Sequence, residues 1–168
     1  MITSKNIHNY DLYNIILLLS RNIFFYEKIK LPDTFETRIY LMFFHFSVMM
    51  IVSKKKGKKF SQNHYDLLFR KIEYNLRELG FGDVSVNSKM KEFNKILYDI
   101  LLKLESKENL KGNSFKLNSI LIKKYFDCFK NEKKSKFDQF EAYFLSFYNF
   151  CFELSPENML KDLEKFKY

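Results

Sequence analysis

A chain of 168 residues with 46% hydrophobic side chains is long enough for one domain with a sizeable core. Four glycines and two prolines are too few turn signals for an all-β sandwich, and the two cysteines form neither a CxxC pair nor a disulfide framework. A net charge of +9 can attract RNA, a ribosome or an anionic membrane face, but lysines set on the solvated faces of helices account for it equally well.

Ala142 is the one alanine, so helices here depend on the packing of large side chains rather than on intrinsic propensity. The periodicity predicts a first helix from about Asn9 to Tyr26, with a break near Arg21. Its IILLL run at 15–19 is closed by Arg21 with no small-residue cleavage site after it, which argues against a signal peptide. KLPDTFETR then reads as a helix start, with Asp33 as N-cap and Glu36 completing a capping box. This second helix runs to about Val52 and is apolar nearly all round, so it is expected at the centre of the fold. Its segment from Ile39 to Val52 falls short of the roughly 20 apolar residues of a membrane span and contains His45 and Ser47.

The break SKKKGKK carries Lys54, Lys55, Lys56, Lys58 and Lys59, a candidate basic contact patch for anionic lipid or rRNA. A third helix follows from about Ser61 to Leu79, striped by Tyr65, Leu68, Phe69, Ile72, Leu76 and Leu79. Glu73 and Arg77 sit four apart in the favourable order, and Gly80 falls where a C-cap glycine belongs. Asp83 or Ser85 starts a fourth helix striped by Met90, Phe93, Leu97, Ile100, Leu101 and Leu104. After a linker at 107–113, Ser114 is expected to cap a fifth helix reaching Phe129. NEKKSK at 131–136 is the next break. A sixth helix carries Phe137, Phe140, Phe144, Tyr148, Cys151 and Phe152, and Ser155 with Pro156 opens a short last helix holding Leu160 and Leu163. The expected fold is all-α, a single irregular bundle of about six or seven helices.

The inventory for chemistry is thin. His8, His45 and His64 are scattered, and no zinc pattern, phosphate loop or nucleophile elbow is present. No cofactor or metal is expected. His45 reads as a satisfied core or rim histidine, and Cys128 and Cys151 as small apolar residues.

One ordered constellation is more specific. PDTFETR at 32–38, His45, SQ at 61–62, LRELGFGD at 76–83 and VNSKMK at 86–91 resemble the ubiquinol–cytochrome c chaperone family. Pro32, Asp33, Thr34, Arg38, His45, Gln62, Phe69, Leu76, Arg77, Glu78, Gly80, Gly82, Asp83, Val86, Lys89 and Lys91 carry the likeness, together with Tyr26 before the first segment. The family's Gly–Arg pair after Tyr98 is replaced by Asp99 and Ile100. The resemblance implies a helical, non-enzymatic assembly chaperone that binds newly made cytochrome b and assists assembly of complex III. It suggests a station beside the ribosome, where family members in mitochondria work with a small partner protein, and says little about such a partner here. No DNA partner is called for. The expected location is cytoplasmic, with peripheral contact at the inner face of the respiratory membrane. Asp33, Arg38, His45, Gln62, Arg77, Glu78, Gly82 and Asp83 are the candidate partner-binding or scaffold residues. The useful surface for a membrane-protein client is an apolar groove between helices, rimmed by Lys or Arg.

Two rival readings have clear discriminators. A basic helical RNA- or ribosome-binding module without a complex III role needs one continuous basic stripe. An enzyme would need His45 in an open pocket within reach of Asp33 or Glu73.

Overall fold

The computed structural model describes residues 11–105, 115–132 and 134–168. Among these the chain is helical with no strand, as the patterning predicts. The elements are α1 (Leu12–Ser20), α2 (Ile23–Glu27), α3 (Phe35–Lys55), α4 (Gln62–Glu78), α5 (Asp83–Leu104), α6 (Ser119–Tyr125), α7 (Lys134–Glu153) and α8 (Met159–Asp162), with single 3-10 turns after α6 and α8.

The expected break near Arg21 is real. Asn22 accepts from Phe24 N–H at 3.0 Å and caps α2 as a separate helix. The start of α3 is built differently from the expected capping box. Thr34, not Asp33, is the N-cap, accepting from Thr37 N–H at 3.2 Å, and the Asp33 carboxylate takes the Arg38 guanidinium instead. Glu36 faces outward to Lys89 at 3.8 Å. A charge-assisted bond to Arg38 outcompetes a backbone cap that the Thr34 hydroxyl can supply equally well.

As its all-round apolarity demands, α3 is the central helix and packs against α1, α5 and α7. It is long and apolar enough to cross a membrane, yet 72% of its most apolar window is covered by the rest of the fold. Leu41 through Met49 are all buried, so the Phe- and Met-rich stretch is core, and only Met50 reaches the surface partly. In α4 the stripe Leu68, Phe69, Ile72 and Leu76 is buried, but Leu79 is exposed because the helix has ended. Gly80 takes φ +93°. Its N–H donates to Arg77 C=O at 3.0 Å, and Phe81 N–H donates to Leu76 C=O at 3.2 Å, a Schellman closure. Gly57 ends α3 in the same way at φ +72°.

The C-terminal third differs most from expectation. Ser114 and the linker 107–113 lie outside the described residues. Residues 115–118 lie outside any helix, with Phe115 and Leu117 buried, and α6 starts only at Ser119, capped by Asn118. The Leu117 N–H donates to Glu141 at 2.8 Å, a side-chain partner from α7 that holds this segment out of helix. Helix α7 begins at Lys134, inside the expected NEKKSK break. Ser155 and Pro156 form a turn, Asn158 N–H donating to Ser155 C=O at 3.1 Å, and α8 begins three residues later than expected with Asn158 preceding it.

Aromatic rings bind these parts together. Tyr143 of α7 lies against Phe24 and Phe25 of α2, His45 of α3, and Phe166 and Tyr168 near the C-terminus.

Candidate functional site

Helix α3 spans roughly 30 Å at 1.5 Å per residue, and the candidate residues divide between its two ends and its middle. At its N-terminal end, α3 starts where the α4–α5 reversal passes. Glu36 meets Lys89 of α5, and the Lys89 ammonium lies 5.2 Å from the centre of the Phe81 ring. Arg77 holds both Glu73, at 3.1 Å, and Asp83, so one guanidinium braces the last turn of α4 against the first residue of α5. Gly82 precedes α5 with an ordinary extended backbone, and Asp83 adds negative charge to the first turn.

Beside this reversal a cavity of about 330 Å³ opens between α1, α3 and α4. Phe35, Met42, Leu17 and Tyr13 give it an apolar lining, while Arg21, Arg38, Asn75 and Glu78 supply polar groups. Arg38 is already bonded to Asp33, Nε at 2.8 Å and Nη2 at 2.6 Å from the same carboxylate oxygen. Three apolar side chains of the reversal reach the surface: Leu79 and Val84, 58% and 85% exposed, and Phe81, 37% exposed with Lys89 over its ring. Thus the structure gathers Asp33, Arg38, Arg77, Glu78, Gly82 and Asp83 at one end of the molecule, next to apolar surface that the fold leaves open.

His45 belongs to neither end. It is fully buried at the middle of α3. The Leu41 carbonyl lies 2.6 Å from Nδ1 and therefore accepts its proton, which leaves Nε2 to accept from the Tyr143 hydroxyl at 2.8 Å. Burial lowers its pKa to about 4, against a smaller opposing effect of the Leu41 bond, so the imidazole is neutral. The carboxylates named as partners for acid–base work are engaged elsewhere, Asp33 with Arg38 and Glu73 with Arg77. His45 is a structural polar link between α3 and α7. Cys151 is buried, which pushes its thiol pKa up, and Cys128 is half-buried. Among the described residues, no group of three or more His, Cys, Asp or Glu is placed to hold a metal.

Gln62 lies at the other end, where the five lysines are. Its amide donates to Asp66 at 3.0 Å. Lys54 pairs with Glu105, Lys55 donates to the Tyr148 hydroxyl at 2.9 Å, Lys56 donates to the Leu154 carbonyl, and Lys58 pairs with Glu157 at 2.7 Å. These four tie the end of α3 to α5, α7 and the segment before α8. Between them a cavity of about 550 Å³ is lined by Met50, Ile51, Phe60 and Leu101, with Lys54, Lys58, Lys59 and Gln62 around it. This is an apolar groove rimmed by lysine, the kind of surface the sequence calls for. Its apolar members come from three separate segments, so no single stripe announces it.

The exposed trio at the reversal also escaped the sequence reading, although Phe81 and Val84 lie outside every apolar stripe and are visible as orphans in hindsight. Elsewhere, lysines pair with Asp11, Asp99, Asp127, Glu132 and Asp162 on different elements. That spread suits a solvated surface better than an RNA-tracking stripe.

Comparison with the curated proteins and with the solved structures returns no match. A family model described as ubiquinol-cytochrome C chaperone matches residues 27–161. That stretch runs from α2 into α8 and so takes in both ends of α3 and the His45–Tyr143 link. With most of the chain covered, this protein belongs to the ubiquinol–cytochrome c chaperone family.

Proposed function

We propose that this chaperone binds newly made cytochrome b and assists assembly of ubiquinol–cytochrome c reductase (complex III), holding an apolar client segment at the α4–α5 reversal. The observation that carries the reading is the gathering of the family-like segments around Leu79, Phe81 and Val84 and the adjoining cavity. A membrane protein awaiting assembly presents apolar side chains that need cover, and an exposed apolar turn on a rigid, ion-braced frame provides it without bond chemistry. Arg77, Glu78, Gly82 and Asp83 then act by fixing the shape of the reversal, and Arg38 by fixing the cavity wall. The family likeness also supports work beside the ribosome at the inner face of the respiratory membrane.

The test is a photo-crosslinker placed at Phe81 or Val84 in cells making complex III, with Ile120 as an exposed apolar control. Crosslinks to cytochrome b from 81 and 84, but not from 120, are expected. A Phe81→Asp, Val84→Asp double variant that folds normally is expected to lower assembled complex III severalfold. Unchanged cytochrome b and complex III after deletion of the protein would refute the function itself. Crosslinks from 120 alone would refute the surface.

A further inference from the structure

We infer that the lysine-bearing end of the molecule holds a binding site for a single long acyl chain with an acidic headgroup. This inference does not rest on the client reading, because the site lies at the opposite end of α3 from the reversal.

The groove there has about 550 Å³, within the range of roughly 300–1,000 Å³ seen for small-molecule sites. Met50, Ile51, Phe60 and Leu101 form its apolar surface. A second cavity of about 90 Å³ shares Met50, Phe60, Gln62 and Leu101 with it; the buried Phe46 and Leu97 are apolar members of its lining, and Ser61, Tyr65 and Tyr98 complete it. The two adjoining spaces share apolar lining that a chain of methylenes can cover.

The charge at the groove narrows the headgroup. Lys54 is neutralised by Glu105, which also lines the groove, and Lys58 by Glu157. Lys55 and Lys56 are turned to Tyr148 and the Leu154 carbonyl. Lys59 lines the groove, is exposed, and has no ion pair among the described residues. A polyanion such as RNA needs several free cations to displace its counterions, and this end offers one at the groove. One free ammonium beside an apolar groove matches one acidic group on one apolar tail.

The full chain is titrated calorimetrically with oleate below its micelle concentration, and in parallel with oleyl alcohol and with phosphatidylcholine vesicles containing or lacking phosphatidylglycerol. Saturable one-to-one binding of oleate is expected, about tenfold weaker for the alcohol and for Lys59→Glu. Leu101→Trp, which fills the groove, is expected to abolish it while circular dichroism stays unchanged. Lys28→Glu, an exposed charge change on the α2 end, is expected to leave it intact. No saturable oleate binding, equal binding by Lys59→Glu and Leu101→Trp, or binding to anionic vesicles alone would overturn the assignment.

Discussion

Replacing Tyr143 by Phe removes one hydroxyl from a site where both partners are buried and 98 residues apart in sequence. The His45 Nε2 acceptor is left without a donor in the core, and such a group costs about 1–3 kcal/mol. A second effect is tied to pH. His45 has a folded pKa lowered from 6.5 to about 4 by burial. The unfolded chain titrates near 6.5, so below that pH it binds a proton that the folded protein refuses until about pH 4. Stability is therefore full above 6.5 and falls as pH drops through this window. Between pH 7 and pH 5 the loss from this residue is about 2 kcal/mol. His64 is lowered in the same direction by partial burial, so the series is made in a His64→Gln background. Asp99 and Glu157, both lowered, lose their contributions at lower pH, which confines the assay to pH 5–7. Urea unfolding followed by far-ultraviolet circular dichroism is the measurement. Tyr143→Phe is expected to cost about 2 kcal/mol at pH 7, and His45→Leu to flatten the pH dependence. The double variant, with neither partner left, should cost less than the sum of the singles. A cost below about 0.5 kcal/mol for Tyr143→Phe, or an unchanged pH slope in His45→Leu, would refute the assignment of this pair.

The two glycines of the reversal make opposite predictions. Gly80→Ala is expected to destabilise by about 1–2 kcal/mol because its φ of +93° is unfavourable for a side chain, although a Cβ there meets no atom within 4 Å. Gly82→Ala should lie within about 0.5 kcal/mol of the parent, since its φ is −74° and the space is open; thermal melts of the two variants separate these outcomes. At Asp99, desolvation raises the carboxyl pKa, but bonds from Lys103, Lys124 and Tyr125 outweigh it and bring the value to about 2. Asp99→Asn should therefore cost about 1 kcal/mol at pH 7 and nothing near pH 2, with stability in the parent lost as pH falls from about 4 to 2; acid titration of both proteins by circular dichroism checks this.

Much of the fold is legible in local pattern. The buried faces of α4 and α5 follow the stripes at Leu68, Ile72 and Leu76 and at Phe93, Leu97 and Ile100, because a helical period of 3.6 residues is written directly in the chain. Gly80 could be placed for the same reason, since a left-handed closure after a helix selects glycine whatever surrounds it. Caps were less legible. Asp33 and Thr34 are both good capping residues, and the decision depended on Arg38 claiming the carboxylate. The non-helical segment 115–118 depended on Glu141, a partner 24 residues beyond Leu117.

The candidate surfaces were legible only in part. The family-like residues at 32–38 and 76–91 are read from the chain, as is the lysine cluster at 54–59. That the first group surrounds an exposed apolar trio, while most of the second is consumed by internal partners, is decided by packing. The same holds for His45, whose neutral state and proton arrangement depend on Tyr143 and on burial that no local window contains. By itself the sequence determined helix periods, the all-round apolar α3 and family membership, since each is a property of order along the chain. Only tertiary structure decided which polar groups meet and which apolar groups stay open, since those are properties of distance between segments far apart in sequence.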